Sequence, residues 1–217
     1  MLTDPKAVEI ISRARQKNVA QPARGEQDIK NLLADFFTPA HFTSKNILEL
    51  GPGQYDFARS ARDLGAIVEA IDSDPAVIEL GNYLGFSVTQ ANLKHWNPTD
   101  SAAHYDGLFC KFSINALWLD SPEEVASQIR TLDSLLKPAG WGWIAPWNGG
   151  KIINEQPAKI QPLLDAQIAA FKSAGWLTFN LTKDLTLRYG INGSVANNTL
   201  FIKNISIPSV LSSASRI

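Results

Sequence analysis

The sequence predicts an α/β protein. It would have a doubly wound, mostly parallel sheet of seven strands, closed by a C-terminal antiparallel hairpin and preceded by N-terminal helices. Three observations carry this. Asn46 to Leu50 is a short apolar run that passes through Gly51 and Gly53 into helical spacing at Phe57, Ala61 and Leu64. Strand-like and helix-like segments then alternate as far as Pro146, the pattern of parallel strands joined by crossover helices. After the last long helix come two consecutive strand-like runs, Leu177–Leu187 and Thr199–Ile205, where a repeating β-α unit would have continued with another helix.

The elements follow in order. Asp4-Pro5 marks a helix start, with Asp4 as cap and Ala7, Ile10, Ile11 and Ala14 on one face. Gln21 to Gly25 interrupts, and Ile29, Leu32, Leu33, Phe36 and Phe37 form a second amphipathic stripe. Strands are expected at 46–50, 67–72, 86–90, 105–111 and 141–146. Asp74-Pro75 opens the helix after the second strand, and Gly85 ends it. The segment 94–104 has turn chemistry and little periodicity. Ser121-Pro122-Glu123-Glu124 reads as a capping box ahead of the stripe Val125, Ile129, Leu132 and Leu136, which Lys137-Pro138-Ala139-Gly140 would stop. A helix is expected from Gln156 to Ala174. The tail from Ser206 is Ser-rich and aperiodic, and is expected to be mobile. The expected division is a helical extension (1–40), an α/β core (41–206) and a tail (207–217).

Composition narrows the function. The chain has 217 residues, enough for one sizeable α/β domain, and 45% hydrophobic content is ordinary. Net charge is -1 with Lys and Arg scattered, which argues against nucleic acid or an anionic membrane as partner. The single cysteine, Cys110, can form no internal disulfide and leaves no zinc cluster, so no metal is expected. No run reaches the length of a membrane span, and no signal peptide is read, so a reducing cytoplasm is the expected location.

The site is expected where parallel strands end. Asp72 closes the second strand about twenty residues beyond the glycine turn, the spacing of a ribose-binding carboxylate. A dinucleotide fingerprint would need a further glycine at position 56, which is Asp. Glu49-x-Gly51-x-Gly53 instead resembles the first motif of the class I S-adenosylmethionine-dependent methyltransferases, a Rossmann-like family. Tyr55 stands where that motif has its third glycine. The run Leu135-Leu136-Lys137-Pro138-Ala139-Gly140-Trp141 resembles the family signature before the fifth strand, and the likeness spans about residues 45 to 205.

The resemblance implies S-adenosylmethionine as cofactor. Gly51, Pro52 and Gly53 would approach its methionine portion, with Glu49 bracing the turn or meeting the amino group through water. Asp72 and Ser73 would hold the ribose, Asn92 and Leu93 the adenine, and Lys111 and Phe112 would border the sulfonium. Arg24 is a candidate for the cofactor carboxylate. An Asn after a strand also serves as a turn residue.

The loop after the fourth strand would separate sulfonium and acceptor. Ser113 and Asn115 are candidates to orient the acceptor, with Phe112, Trp118 and Trp147 as walls and His95 as a base. The motifs of amino-methylating DNA enzymes, cytosine C5 enzymes and protein arginine enzymes are absent. A small-molecule acceptor, methylated on O or N by a monomer or homodimer, is therefore expected. A non-catalytic binding subunit and an NAD-dependent oxidoreductase are the alternatives.

Overall fold

A computed structural model describes residues 2–21, 25–96, 98, 103–191 and 198–217. Helix α1 (Pro5–Ser12) begins as its sequence dictates: Asp4 Oδ1 accepts the amide hydrogens of Lys6 and Ala7 at 2.8 and 3.0 Å. Helix α2 (Glu26–Phe36) starts from a left-handed Gly25. The core then runs β1 (Asn46–Leu50), α3 (Asp56–Asp63), β2 (Ile67–Asp72), α4 (Pro75–Tyr83), β3 (Ser87–Gln90) and β4 (Tyr105–Lys111). It continues with α5 (Pro122–Ser134), β5 (Leu136–Ala145), α6 (Gly150–Glu155), α7 (Pro157–Ser173) and β6 (Leu177–Asn180). Helix α8 (Lys183–Arg188), β7 (Thr199–Lys203) and β8 (Ser215–Arg216) complete it.

The sheet order is β3-β2-β1-β4-β5-β7-β6-β8. Strands β1 to β5 pair in parallel, while β7 runs antiparallel to both β5 and β6. The chain leaves β1 toward β2 on one side, and β4 leads to β5 on the other. The β1/β4 gap is thus the point where strand order reverses, and a crevice opens there above the strand ends.

Two apolar cores flank the sheet. One lies under α1–α4, and its centre is a row of rings: Phe57 on Phe109 at 3.7 Å, Phe109 on Trp143 at 5.0 Å, and Phe36 edge-on to Trp143 at 6.0 Å. The other lies under α5 and α7 and contains Cys110, whose thiol burial pushes up to about 12. Cys110 is therefore a small buried strand residue. The alternation Trp141-Gly142-Trp143 serves both cores. Trp141 and Trp143 face the first, and a Cβ at Gly142 would strike the Trp176 ring of the second at 2.0 Å.

The structure departs from expectation in four places. The 177–187 segment is a strand only to Asn180, because Thr182 caps a new helix by accepting the Leu185 amide. Leu136 belongs to β5, opposite Tyr105, because α5 has already ended at Ser134. Among the described residues the sheet has eight strands, one more than expected, the last being β8. The aperiodic tail makes a 3-10 turn over Ser209–Ser213, buries Leu211, and pairs Ser215 and Arg216 with β6. Apolar side chains at single positions anchor this tail, so no period announces it. The Gly- and Asn-rich stretch 192–197 lies outside the described residues.

Candidate functional site at the β1/β4 crevice

Three residues of the β1–α3 turn are left-handed: Gly51 (φ 68°), Gly53 (φ 55°) and Tyr55 (φ 61°). Tyr55 therefore adopts the backbone conformation that the missing glycine would supply. Its ring leaves the crevice entirely. It is fully buried, stacks on Phe86 at 5.2 Å, and its hydroxyl donates to the Val77 carbonyl at 3.1 Å. The substitution thus keeps the turn and adds core contact. Gln54 ties the turn to the N-terminal segment, its side-chain amide donating to the carbonyls of Val19 (2.8 Å) and Gln21.

Three carboxyls gather around the turn. Glu49 is buried at the end of β1 and accepts the Ala58 amide, and its Oε2 has no hydrogen-bond partner among the described residues. Burial first, then the nearby Asp56 and Asp72, push its pKa well above 4.5. Asp72 ends β2, and its Oδ1 accepts the Asp74 amide at 2.9 Å. Burial also raises Asp72, against the backbone hydrogen bonds from Asp74 and Ser73. Asp56 opens α3 and is raised by burial, partly offset by its 2.5 Å ion pair with Arg59.

Glu49 makes stability pH-dependent. With its pKa raised in the folded state, the folded chain holds more protons than the unfolded chain once pH exceeds about 4.5, so stability falls as pH rises above that value. Glu49→Gln removes this contribution and leaves those of Asp56 and Asp72. Between about pH 5 and 8 the melting temperature of the variant should decline less steeply than that of the wild-type chain. Parallel curves would mean that Glu49 is ionised in the folded protein.

The end of β4 supplies the opposite wall. Phe112 has φ 73°, an uncommon conformation for an aromatic residue, of the kind that concentrates at ligand sites. Next to it, Ser113 Oγ donates to the Gly51 carbonyl at 3.3 Å, so the hydroxyl bridges the β1 and β4 loops. Lys111 lies 3.6 Å from Asp28 of α2, with its ammonium 5.9 Å from the Phe112 ring. Trp147 packs near Gly149 and Leu117, and Trp118 is 39% exposed on the 3-10 turn Ala116–Trp118.

The structure therefore brings together Glu49, Gly51, Pro52, Gly53 and Asp72 from the first half, and Lys111, Phe112 and Ser113 from the second. Ser73 follows Asp72, and its amide bonds that carboxylate. Other expectations change. Asn115 is a buried cap: its Oδ1 accepts the Leu117 amide at 2.9 Å, and its Nδ2 is buried without a described partner. At 1% exposure it cannot meet a solvent-borne acceptor in this conformation. Asn92 Oδ1 accepts the Lys94 amide at 3.0 Å, the turn role of such a residue, and keeps a second acceptor position on its exposed side chain. Leu93 follows on the α5 side, where its carbonyl accepts from Gln128 at 3.0 Å. His95 is exposed on the same crossover, and its ring bonds no described residue. Arg24 lies outside the described residues. Sequence reading overlooked Gln54, Asp28 and Gly190. None carries a local signal, since each matters only through a contact far along the chain.

With this geometry the fold is that of the class I S-adenosylmethionine-dependent methyltransferases. A methyltransferase from Archaeoglobus fulgidus superposes with a TM-score of 0.55 at 14% identity, covering 82% of this chain and 90% of that one. An S-adenosylmethionine-bound amino pentose methyltransferase from Micromonospora echinaspora gives 0.53 at 13% identity, covering 83% and 91%. A putative sarcosine dimethylglycine methyltransferase from Galdieria sulphuraria gives 0.51 at 17% identity, covering 80% and 72%. No protein-family model and no curated protein matches the chain. No helix among the described residues is long and apolar enough to cross a membrane.

Proposed function

We propose that the protein is an S-adenosylmethionine-dependent methyltransferase acting on a small-molecule acceptor at O or N, in a reducing, cytoplasmic setting. One observation carries the reading. A left-handed glycine turn sits at the strand-order reversal, with a partly buried carboxylate ending the adjacent strand and an orphaned buried carboxyl beneath. That arrangement fits the cofactor. Bare backbone at Gly51 and Gly53 admits the methionine portion. Asp72 retains acceptor positions beyond those filled by Asp74 and Ser73, and these suit two neighbouring ribose hydroxyls. Glu49 has an unused oxygen for an amino group. The N-terminal segment, held on the turn by Gln54, is the cover of this site.

When bound, the sulfonium supplies an activated methyl group and a good leaving group. The chain's own residues then have to align the acceptor and exclude water. Phe112, Trp118 and Trp147 wall the acceptor side, and Ser113 holds the two loops in register. His95 is exposed on the crossover whose Lys94 lies 3.9 Å from Asp120, two residues after Trp118, and it is the candidate base for an acceptor with an ionisable proton.

Calorimetry with S-adenosylmethionine and with NAD tests the reading. The first should bind and the second should not. Asp72→Ala should weaken binding by about 1.5–3 kcal/mol, the scale of lost charge-assisted hydrogen bonds. Unchanged affinity in the folded variant would remove Asp72 from the site. Binding without methyl transfer to any of a broad acceptor panel would indicate a non-catalytic binding subunit.

A further inference from the structure

Three distant elements meet where the acceptor would lie: the first turn of α2, the end of β4, and the bend after α8. Lys111 Nζ is 3.6 Å from Asp28 Oδ2, and both side chains are only partly buried, at 16% and 31% exposure. A Cβ on Gly190 would lie 1.8 Å from Asp28 Oδ2 and 3.0 Å from Lys111 Nζ, so the left-handed glycine backbone is moulded onto the pair. The pair is also placed beside the cofactor turn. Asp28 lies one helical turn beyond Gly25, where a Cβ would meet Asp56 Oδ2 at 2.7 Å. The roof above is braced separately, because Arg188 and Tyr189 of the α8 region grip Asp35 of α2 at 2.6 to 2.9 Å. The Lys111–Asp28 pair is therefore not the only tie between α2 and the core, and part of each side chain faces solvent.

Resting on the methyltransferase reading, we infer that Asp28 and Lys111 recognise the acceptor, and that it is an amino acid-like amine. Its amine lies against Asp28 and its carboxylate against Lys111. The reason is electrostatic complementarity. A molecule whose two charges sit one or two carbons apart can lie antiparallel to an exposed ion pair, gaining a charge-assisted hydrogen bond at each end. A simple amine would leave Lys111 facing nothing new, and a simple acid would do the same for Asp28. Partial burial makes such contacts count for more than they would at an open surface.

The test titrates α- and β-amino acids, their decarboxylated amines and their deaminated acids into the full chain saturated with S-adenosylhomocysteine. At least one amino acid should bind about tenfold tighter than both truncated analogues, the loss expected for one charged contact. Lys111→Met should erase the preference over the amine, and Asp28→Asn the preference over the acid. Melting temperature should hold in both variants, and S-adenosylhomocysteine affinity in Asp28→Asn. If both variants weaken all three ligand classes equally, the pair is structural and the inference fails. It fails too if the wild-type chain binds S-adenosylhomocysteine but shows no preference for any amino acid, and then the methyltransferase reading survives. If the wild-type chain does not bind S-adenosylhomocysteine, both fall.

Discussion

Gly51→Ala should destabilise the chain by about 2–6 kcal/mol and, on the proposed reading, remove S-adenosylmethionine binding, since it combines two costs of about 1–3 kcal/mol each. The first is conformational: φ at Gly51 is 68°, which an L side chain resists. The second is steric. The new Cβ would lie 1.6 Å from Ser113 Oγ and 2.3 Å from Ser113 Cβ, and the Cβ cannot be relieved by rotating the hydroxyl. The β1 and β4 loops would have to part at the very point where the crevice is formed. The double variant Gly51→Ala/Ser113→Gly separates the two costs. Chemical denaturation should show it recovering the steric share, about 1–3 kcal/mol, and keeping the conformational one. If the single variant matched the wild-type chain, or the double variant were no better than the single, the packing of Ser113 on the turn would be wrong.

Trp143→Ala should cost about 3–5 kcal/mol, as large-to-small changes of buried aromatic residues do. Trp143 is fully buried, stacked on Phe109 of β4 and met edge-on by Phe36 of α2. Its indole nitrogen has no described hydrogen-bond partner, so the loss would be one of packing alone. Because Phe36 lies on the helix that carries Asp28, the cavity would also loosen the acceptor side. Trp143→Phe should keep most of the stability. Equal losses for the alanine and phenylalanine variants in denaturant melts would argue against the ring stack as the main support of α2.

The α/β class, the element order as far as β5 and the first strand–turn–helix were all readable along the chain. Each rests on local chemistry: the period of apolar residues, the caps Asp4 and Ser121, and glycines at the turn. Asp72 was readable for the same reason, because a carboxylate at a strand end announces itself by position. The short strand β6 was over-extended, since alternation and a helix start overlap at Thr182. Tyr55 in the glycine position looked like a defect. Local sequence does not show that its ring has a place against Phe86 and Val77.

The division follows from range. Turns, caps and amphipathic faces are set by neighbours within about one helical turn, so the sequence carries them openly. Which polar side chains share a site depends on pairs separated by scores of residues: Asp28 with Lys111, Ser113 with Gly51, Gln54 with Val19. Those contacts exist only once the sheet has assembled and brought its strand ends to one rim. The same assembly turned Asn115 from a candidate for orienting the acceptor into a buried cap, because burial belongs to the packed molecule and not to the residue type.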